Sequence, residues 1–221
     1  RELGGDDRVL ALPCDVEDLA SVQALWDWAA ARFGAIDWWI NNAGQAHETH
    51  RFWEQPAERM GAVVRTNVIG VMNGCRVAVQ GMLAQGRGAI YNLTGFGRTN
   101  LFRPGMAIYG TSKRGVDYFS KALAREVAGT GVIVGQINPG MVITDMLRQG
   151  ATSTVEDAAK IGRIYDIMAI TPAESAPYIV ARVLANRRNG ILINRQPRYV
   201  VLGKLLSAPF RRTRRNVLGT P

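Results

Sequence analysis

Tyr109 and Lys113, four residues apart, carry the clearest chemistry in the sequence. On a helix that spacing puts both side chains on one face, about one turn apart. An ammonium beside a phenol favours the phenolate and lowers a tyrosine pKa from about 10. Such a tyrosine exchanges a proton with a carbonyl or an alcohol near neutral pH. The plainer account is a surface helix pair. Against it, the chain uses 23 arginines and only four lysines, so a lysine kept here points to a need for a compact charge. Three more polar groups each follow a short apolar run: Asn41-Asn42-Ala43-Gly44, Thr94-Gly95 and Pro139-Gly140, with Thr144 four residues on. Asparagine amides tie loops together, and glycine lets a backbone approach a ligand. Plain strand-end turns would look the same.

The runs that precede these groups read as strands, at residues 9–12, 36–40, 88–93, 132–137 and 191–193. Between them the pattern predicts helices over 17–32, 56–84 (one helix or two), 106–128, 155–167 and 172–186, with Asp15 as the first N-cap. Continuous apolar strands alternating with helices argue for a doubly wound α/β fold with a mostly parallel sheet. Ligands of such sheets bind beyond the carboxyl ends of the strands, which is where all three polar groups fall.

The 221 residues fit one domain, and 47% hydrophobic with 20% charged residues allows a real core. No stretch approaches the ~18 apolar residues of a membrane span. Two cysteines are too few for a disulfide framework, and the polar first residues are no signal peptide, so a cytoplasmic setting is expected. The net charge of +9 is uneven, because no acid follows Glu174 while ten basic residues do. Residues 1–174 are near neutral, and the chain divides into a body, 1–198, and a basic tail, 199–221. Nucleic acid is not an expected partner, since its binders carry basic residues on the folded face. Residues 199–206, followed by Arg211, Arg212, Arg214 and Arg215, read as an amphipathic helix beside an arginine cluster, suited to peripheral contact with an anionic membrane. A solvated tail or a cover over the pocket are the other readings. His47 and His50 are too few ligands for a metal, so no metal is expected and both read as ordinary loop residues.

The order Asp15, Asn-Asn-Ala-Gly, Asn67, Tyr-x-x-x-Lys and Pro-Gly-x-Val-x-Thr resembles the short-chain dehydrogenase/reductase family over nearly all of residues 8–195. The resemblance implies a Rossmann-like sheet and reversible hydride transfer between a nicotinamide cofactor and a small-molecule carbonyl/alcohol pair. It makes Tyr109 the general acid/base, with Lys113 binding the nicotinamide ribose and lowering the tyrosine pKa. Asn67 would hold a relay water. Asp15, with Val16, would hold the adenine; Asn41, Ala43 and Gly44 would contact the cofactor. Pro139, Gly140, Val142 and Thr144 would line the nicotinamide. A homo-oligomer is implied through the long helices over 56–84 and 106–128.

Two positions depart from the pattern. The carbonyl-binding serine falls on Gly95, so either Thr94, a water or the substrate supplies the missing donor, or activity is low. The glycine-rich phosphate loop is not found; the chain begins at what looks like the end of the second helix, as if a truncated product lacking two strand–helix units. Within the family, Asn92-x-x-Gly95-x-Gly97, Tyr109 to Lys113 and Pro139 to Leu147 are similar to the chlorophyll(ide) b reductase branch. That branch implies NADPH over NADH and a formyl group on a chlorin ring, and the arginine-rich composition points to a bacterial relative. The alternative is a non-catalytic fragment or scaffold with a membrane-contacting tail.

Overall fold

The computed structural model describes residues 9–98, 102–149 and 158–208. Four strands form one parallel sheet in the order β1 (Trp38–Asn41), β2 (Gly88–Leu93), β3 (Val132–Asn138) and β4 (Leu192–Asn194). The helices are α1 (Leu19–Phe33), α2 (Ala57–Val64), α3 (Gly70–Gln85), α4 (Ala107–Glu126), α5 (Asp145–Gln149), α6 (Ala158–Met168), α7 (Pro172–Ala185) and α8 (Arg198–Ser207). Strand β2 shows how the sheet is covered on both faces. Ile90 packs into a core with Val71, Cys75 and Val77 of α3 and Val116 of α4. Its neighbours Ala89 and Tyr91 face the other way, against Val183 of α7 and Ile193 of β4. The fold is therefore Rossmann-like α/β, as the alternation of elements predicts.

Local chemistry sets the element ends. Asp18 accepts from the Ala20 amide at 3.0 Å and caps α1, whose last residue is followed by Gly34 at φ 80°. The cap is Asp18 rather than the expected Asp15, which instead closes a tight turn by accepting from the Glu17 amide. Thr171 and Glu174 form a reciprocal capping box with Pro172 at the first position of α7. The segment predicted as a strand at residues 9–12 is not one. Val9, Leu10 and Leu12 are exposed and, among the described residues, no strand lies beside them, and a strand exists only through its pairing.

Helices α2 and α3 are one run, interrupted by a wider turn at Arg65–Ile69 in which the Gly70 amide reaches back five residues to Arg65 O. No periodicity argument predicts that turn, and it inserts Asn67 into the interior. Half-buried Asn41 and fully buried Asn92 then join the sheet to its helices. Asn41 Nδ2 donates to Asn92 Oδ1 at 2.7 Å, Asn92 Nδ2 to Ser120 Oγ at 2.9 Å, and Trp39 Nε1 to Asn41 Oδ1 at 2.9 Å. The backbone of α3 closes on this chain at Gly74, where a Cβ would lie 2.0 Å from Asn41 Oδ1. Gly74→Ala is expected to displace Asn41 and destabilise the fold by about 1–3 kcal/mol, read as a lower urea midpoint. An unchanged midpoint would show that Asn41 can move freely.

At the other end, α8 is tied to α6 by Lys204 Nζ, which donates to Met168 O at 2.8 Å. Tyr199, Leu202, Leu205 and Leu206 of α8 are exposed. The arginine cluster at 211–215, and residues 155–157 at the start of the predicted sixth helix, lie outside the described residues. No helix among the described residues is long and apolar enough to cross a membrane.

Candidate active site

Lys113 leaves the second turn of α4 and enters the interior, where it is only 5% exposed. Its ammonium donates to Leu93 O at 3.2 Å, off the end of β2, and lies 5.8 Å from the Tyr109 ring centroid. Burial pulls the lysine down to about 8 and pushes the tyrosine up to about 12. This corrects the expectation that Lys113 lowers the Tyr109 pKa. Desolvation is the cause that decides both groups.

Asn67 is fully buried and braces three segments. Its Oδ1 accepts from the Gln45 amide at 2.7 Å, while Nδ2 donates to Gln45 O at 2.9 Å and Ser112 Oγ at 3.0 Å. Ser112 Oγ in turn donates to Tyr109 O at 2.7 Å. Both amide hydrogens are thus engaged, which leaves only the second lone pair of Oδ1 for a relay water. A Cβ at Gly44 would lie 3.2 Å from Asn67 Oδ1 and 3.6 Å from Lys113 Nζ. At Gly95 a Cβ would lie 3.5 Å from Tyr109 Oη. The structure therefore brings Tyr109, Lys113, Asn67, Gly44 and Gly95 into one site, with position 95 against the phenol.

Thr94 is not the stand-in donor. It is buried, and both its amide and its hydroxyl donate to Ile137 O, at 2.8 and 3.1 Å, extending the pairing of β2 with β3. Its side chain serves the sheet, and among the described residues no hydroxyl beside Tyr109 replaces that of a serine at position 95.

The remaining candidates divide into two banks. On one, Val16, Asn41, Ala43, Gly70 and Gly74 line a cleft at the carboxyl end of β1. Segment 15–18 is pinned there by Asn73 Nδ2, which donates to Val16 O and Glu17 O, and by the Thr66 hydroxyl on Glu17. That hydroxyl, helped by Arg65, holds the Glu17 carboxyl below its usual range. Asp15 stands exposed at the rim. Asn41 has its amide taken up within the sheet, so it is a brace rather than a free contact. The other bank is the loop after β3. Ser175 Oγ donates to Pro139 O, the Gly140 amide donates to Asn138 Oδ1, and Val142 pairs with Ile170. Thr144 Oγ1 accepts from the Leu147 amide at 3.2 Å, which leaves its hydroxyl hydrogen to donate.

Sequence reasoning passed over three residues of the site. Gln45 contributes only backbone groups to Asn67, which no side-chain pattern can signal. Ser112 stands next to Lys113 and carries no pattern of its own, yet it joins Asn67 to Tyr109 O. His47 read as a loop residue, yet it is buried against the start of α4. Among the described residues no cluster of three metal-ligating side chains occurs.

Known proteins place this geometry. A sequence profile described as short chain dehydrogenase matches residues 1–154. The chain belongs to the short-chain dehydrogenase family. Within it, the chain is 38% identical over 154 residues to a chlorophyll(ide) b reductase of Oryza sativa, covering 67% of this chain and 45% of that protein. It is 34% identical over 200 residues to one of Arabidopsis thaliana, covering 88% and 55%. The chain thus spans about half the length of these curated relatives. Among solved structures, a 3-ketoacyl-(acyl-carrier-protein) reductase of Brucella melitensis in complex with NADH superposes with a TM-score of 0.74 at 25% identity, over 88% of this chain and 78% of that one. Both plant relatives are named as chloroplastic proteins, which overturns the cytoplasmic expectation. A low cysteine count reports a reducing setting, and a reducing setting does not select a compartment.

Proposed function

We propose that this short-chain dehydrogenase reduces a carbonyl to an alcohol with NADPH or NADH, taking a formyl group on a chlorin ring as substrate. One observation carries the reading: a half-buried phenol, a buried ammonium and an internally braced asparagine meet at the carboxyl ends of β1 and β2. The residues fit a nicotinamide nucleotide. Lys113 has three N–H bonds and gives one to Leu93 O, so it keeps donors for ribose hydroxyls. The cleft beside Val16 and Ala43 suits an adenosine, and the 139–144 loop a carboxamide ring. When bound, the nicotinamide supplies hydride.

The chain's own residues supply the proton and the positioning. A phenol held protonated up to about 12 is a proton donor at neutral pH. Tyr109 Oη gives its proton to the carbonyl oxygen as that oxygen gains charge. Lys113 holds its remaining N–H donors on the cofactor side of the ring. Asn67 fixes the loop at Gly44–Gln45 relative to α4, so that cofactor and phenol share one frame.

The chlorin assignment rests on the similarity to the two plant reductases and on Gly95, which leaves the space beside Tyr109 Oη free of a side chain. NADPH is preferred over NADH on the same similarity. Self-association is part of the reading, through α3 and α4, where Met72, Leu83 and Tyr118 are exposed. A monomer in sedimentation velocity would remove that part.

Formyl-dependent oxidation of NADPH, followed by absorbance with product identified by mass spectrometry, tests the reading. No consumption with any formyl-chlorin, simple aldehyde or ketone would overturn it. The site also predicts a gain. Gly95→Ser places a hydroxyl within ordinary contact of Tyr109 Oη, where it can donate to the developing oxyanion. For a small aldehyde its kcat is expected to rise by up to about 10²-fold, while a chlorin substrate loses room. Equal rates for the two proteins would show that position 95 lies outside the oxyanion's reach.

A further inference from the structure

The first turn of a helix leaves amide hydrogens without partners, and a side chain at the N-cap normally accepts one of them. Helix α4 starts with Met106 at that position, and Met106 makes no such bond. The amide of Tyr109 instead donates to His47 Nε2 at 3.3 Å, from a loop 62 residues earlier in the chain. The imidazole is 5% exposed. Its Nδ1 lies 2.8 Å from Glu48 O, an acceptor only, so Nδ1 carries the hydrogen and Nε2 presents its lone pair to the Tyr109 amide. Gln55 Nε2 donates to the same Glu48 O at 2.8 Å, which holds that oxygen in place. The fit between the two loops is close: Gly105, two residues before α4, has room for no side chain, since a Cβ there would lie 2.3 Å from Thr49 Cγ2.

We propose that His47 is a positioning residue: it caps the catalytic helix from outside and sets where the Tyr109 hydroxyl stands relative to the substrate. The inference rests on the proposed role of Tyr109 as proton donor. The physics is specific. The capped amide is that of the tyrosine itself, so freeing it lets the first turn fray at the residue that reacts. The loop that supplies the cap also carries Gly44 and Gln45, which Asn67 holds. Cofactor side and proton donor are therefore linked by one short stretch, Gly44 to His47. A neutral imidazole is required, because a second N–H on Nε2 would face the Tyr109 N–H.

The test compares His47→Leu with His47→Gln, whose side-chain oxygen can replace the Nε2 acceptor. Two readouts are taken on the full chain: exchange of the Tyr109 amide hydrogen by NMR, and kcat and KM for carbonyl reduction. In the leucine variant the Tyr109 amide is expected to exchange about fivefold to tenfold faster. Its kcat is expected to fall by a similar factor while KM and the thermal shift with NADPH stay near wild type, because the cofactor banks are untouched. Glutamine should restore both readouts in large part. Unchanged exchange in the leucine variant overturns the cap. Faster exchange with unchanged kcat overturns the positioning role, as does an equal loss in both variants or a loss confined to KM. If the wild-type protein reduces nothing, the proposed function fails, and the exchange measurement still decides whether His47 caps α4.

Discussion

Tyr109→Phe is expected to lower the rate of carbonyl reduction by about 10²–10⁴-fold, the range for loss of a positioned general acid. The substitution removes one oxygen from a half-buried side chain. Among the described residues no hydrogen bond uses Tyr109 Oη, so fold and melting temperature should stay close to wild type. The thermal shift produced by NADPH should also persist, because the ring beneath the Lys113 ammonium is kept. The combination is diagnostic: a large fall in kcat with retained cofactor response identifies a proton donor. A rate within threefold of wild type would transfer that role elsewhere, and the reading of the site would fall with it.

The second large effect is in stability. Lys113 titrates near 8 in the folded chain against an ordinary value of 10.5. Below pH 8 it is charged in both states, and the folded protein bears the whole cost of burying that charge. Between pH 8 and 10.5 the unfolded chain binds the extra proton, so stability rises with pH through that window. The full swing is about 3 kcal/mol from the size of the shift. Tyr109 works in the opposite sense. Its folded value near 12, against an ordinary 10, means that the folded chain binds the extra proton between pH 10 and 12, and stability falls there. The pair therefore gives its greatest support near pH 10.

Lys113→Met should flatten the rise between pH 8 and 10 in urea unfolding and leave the later fall in place. Parallel curves for the two proteins would mean that Lys113 is solvated. Activity should go the other way, with reduction declining above pH 8 as the ammonium is lost. On this account the lysine is kept for chemistry and destabilises the fold at neutral pH.

These two residues also show how much the sequence revealed. Their spacing put them on one helical face, and Asn41 to Gly44, Gly95 and the 139–144 loop were placed correctly at strand ends. Such statements depend on local pattern, and local pattern survives any packing. The segment at 9–12 read equally well as a strand, yet pairing is a property of neighbours, and among the described residues it has none. Asp15 was the expected cap of α1, and the geometry of the turn gave that place to Asp18. Thr94 had the right hydroxyl one residue from the right place, and the sheet took it.

The sequence by itself determined the α/β alternation, the family and the identity of the tyrosine, lysine and asparagine, because residue type and spacing are what a chain carries before it folds. Tertiary structure alone decided their state. Burial, not the neighbouring charge, sets the Tyr109 and Lys113 proton affinities, since desolvation depends on what every other segment covers. A wide turn that no periodicity announces brings Asn67 inward. A histidine 62 residues away closes the first turn of the helix that bears the tyrosine, because a hydrogen bond responds to distance in space and not to distance along the chain.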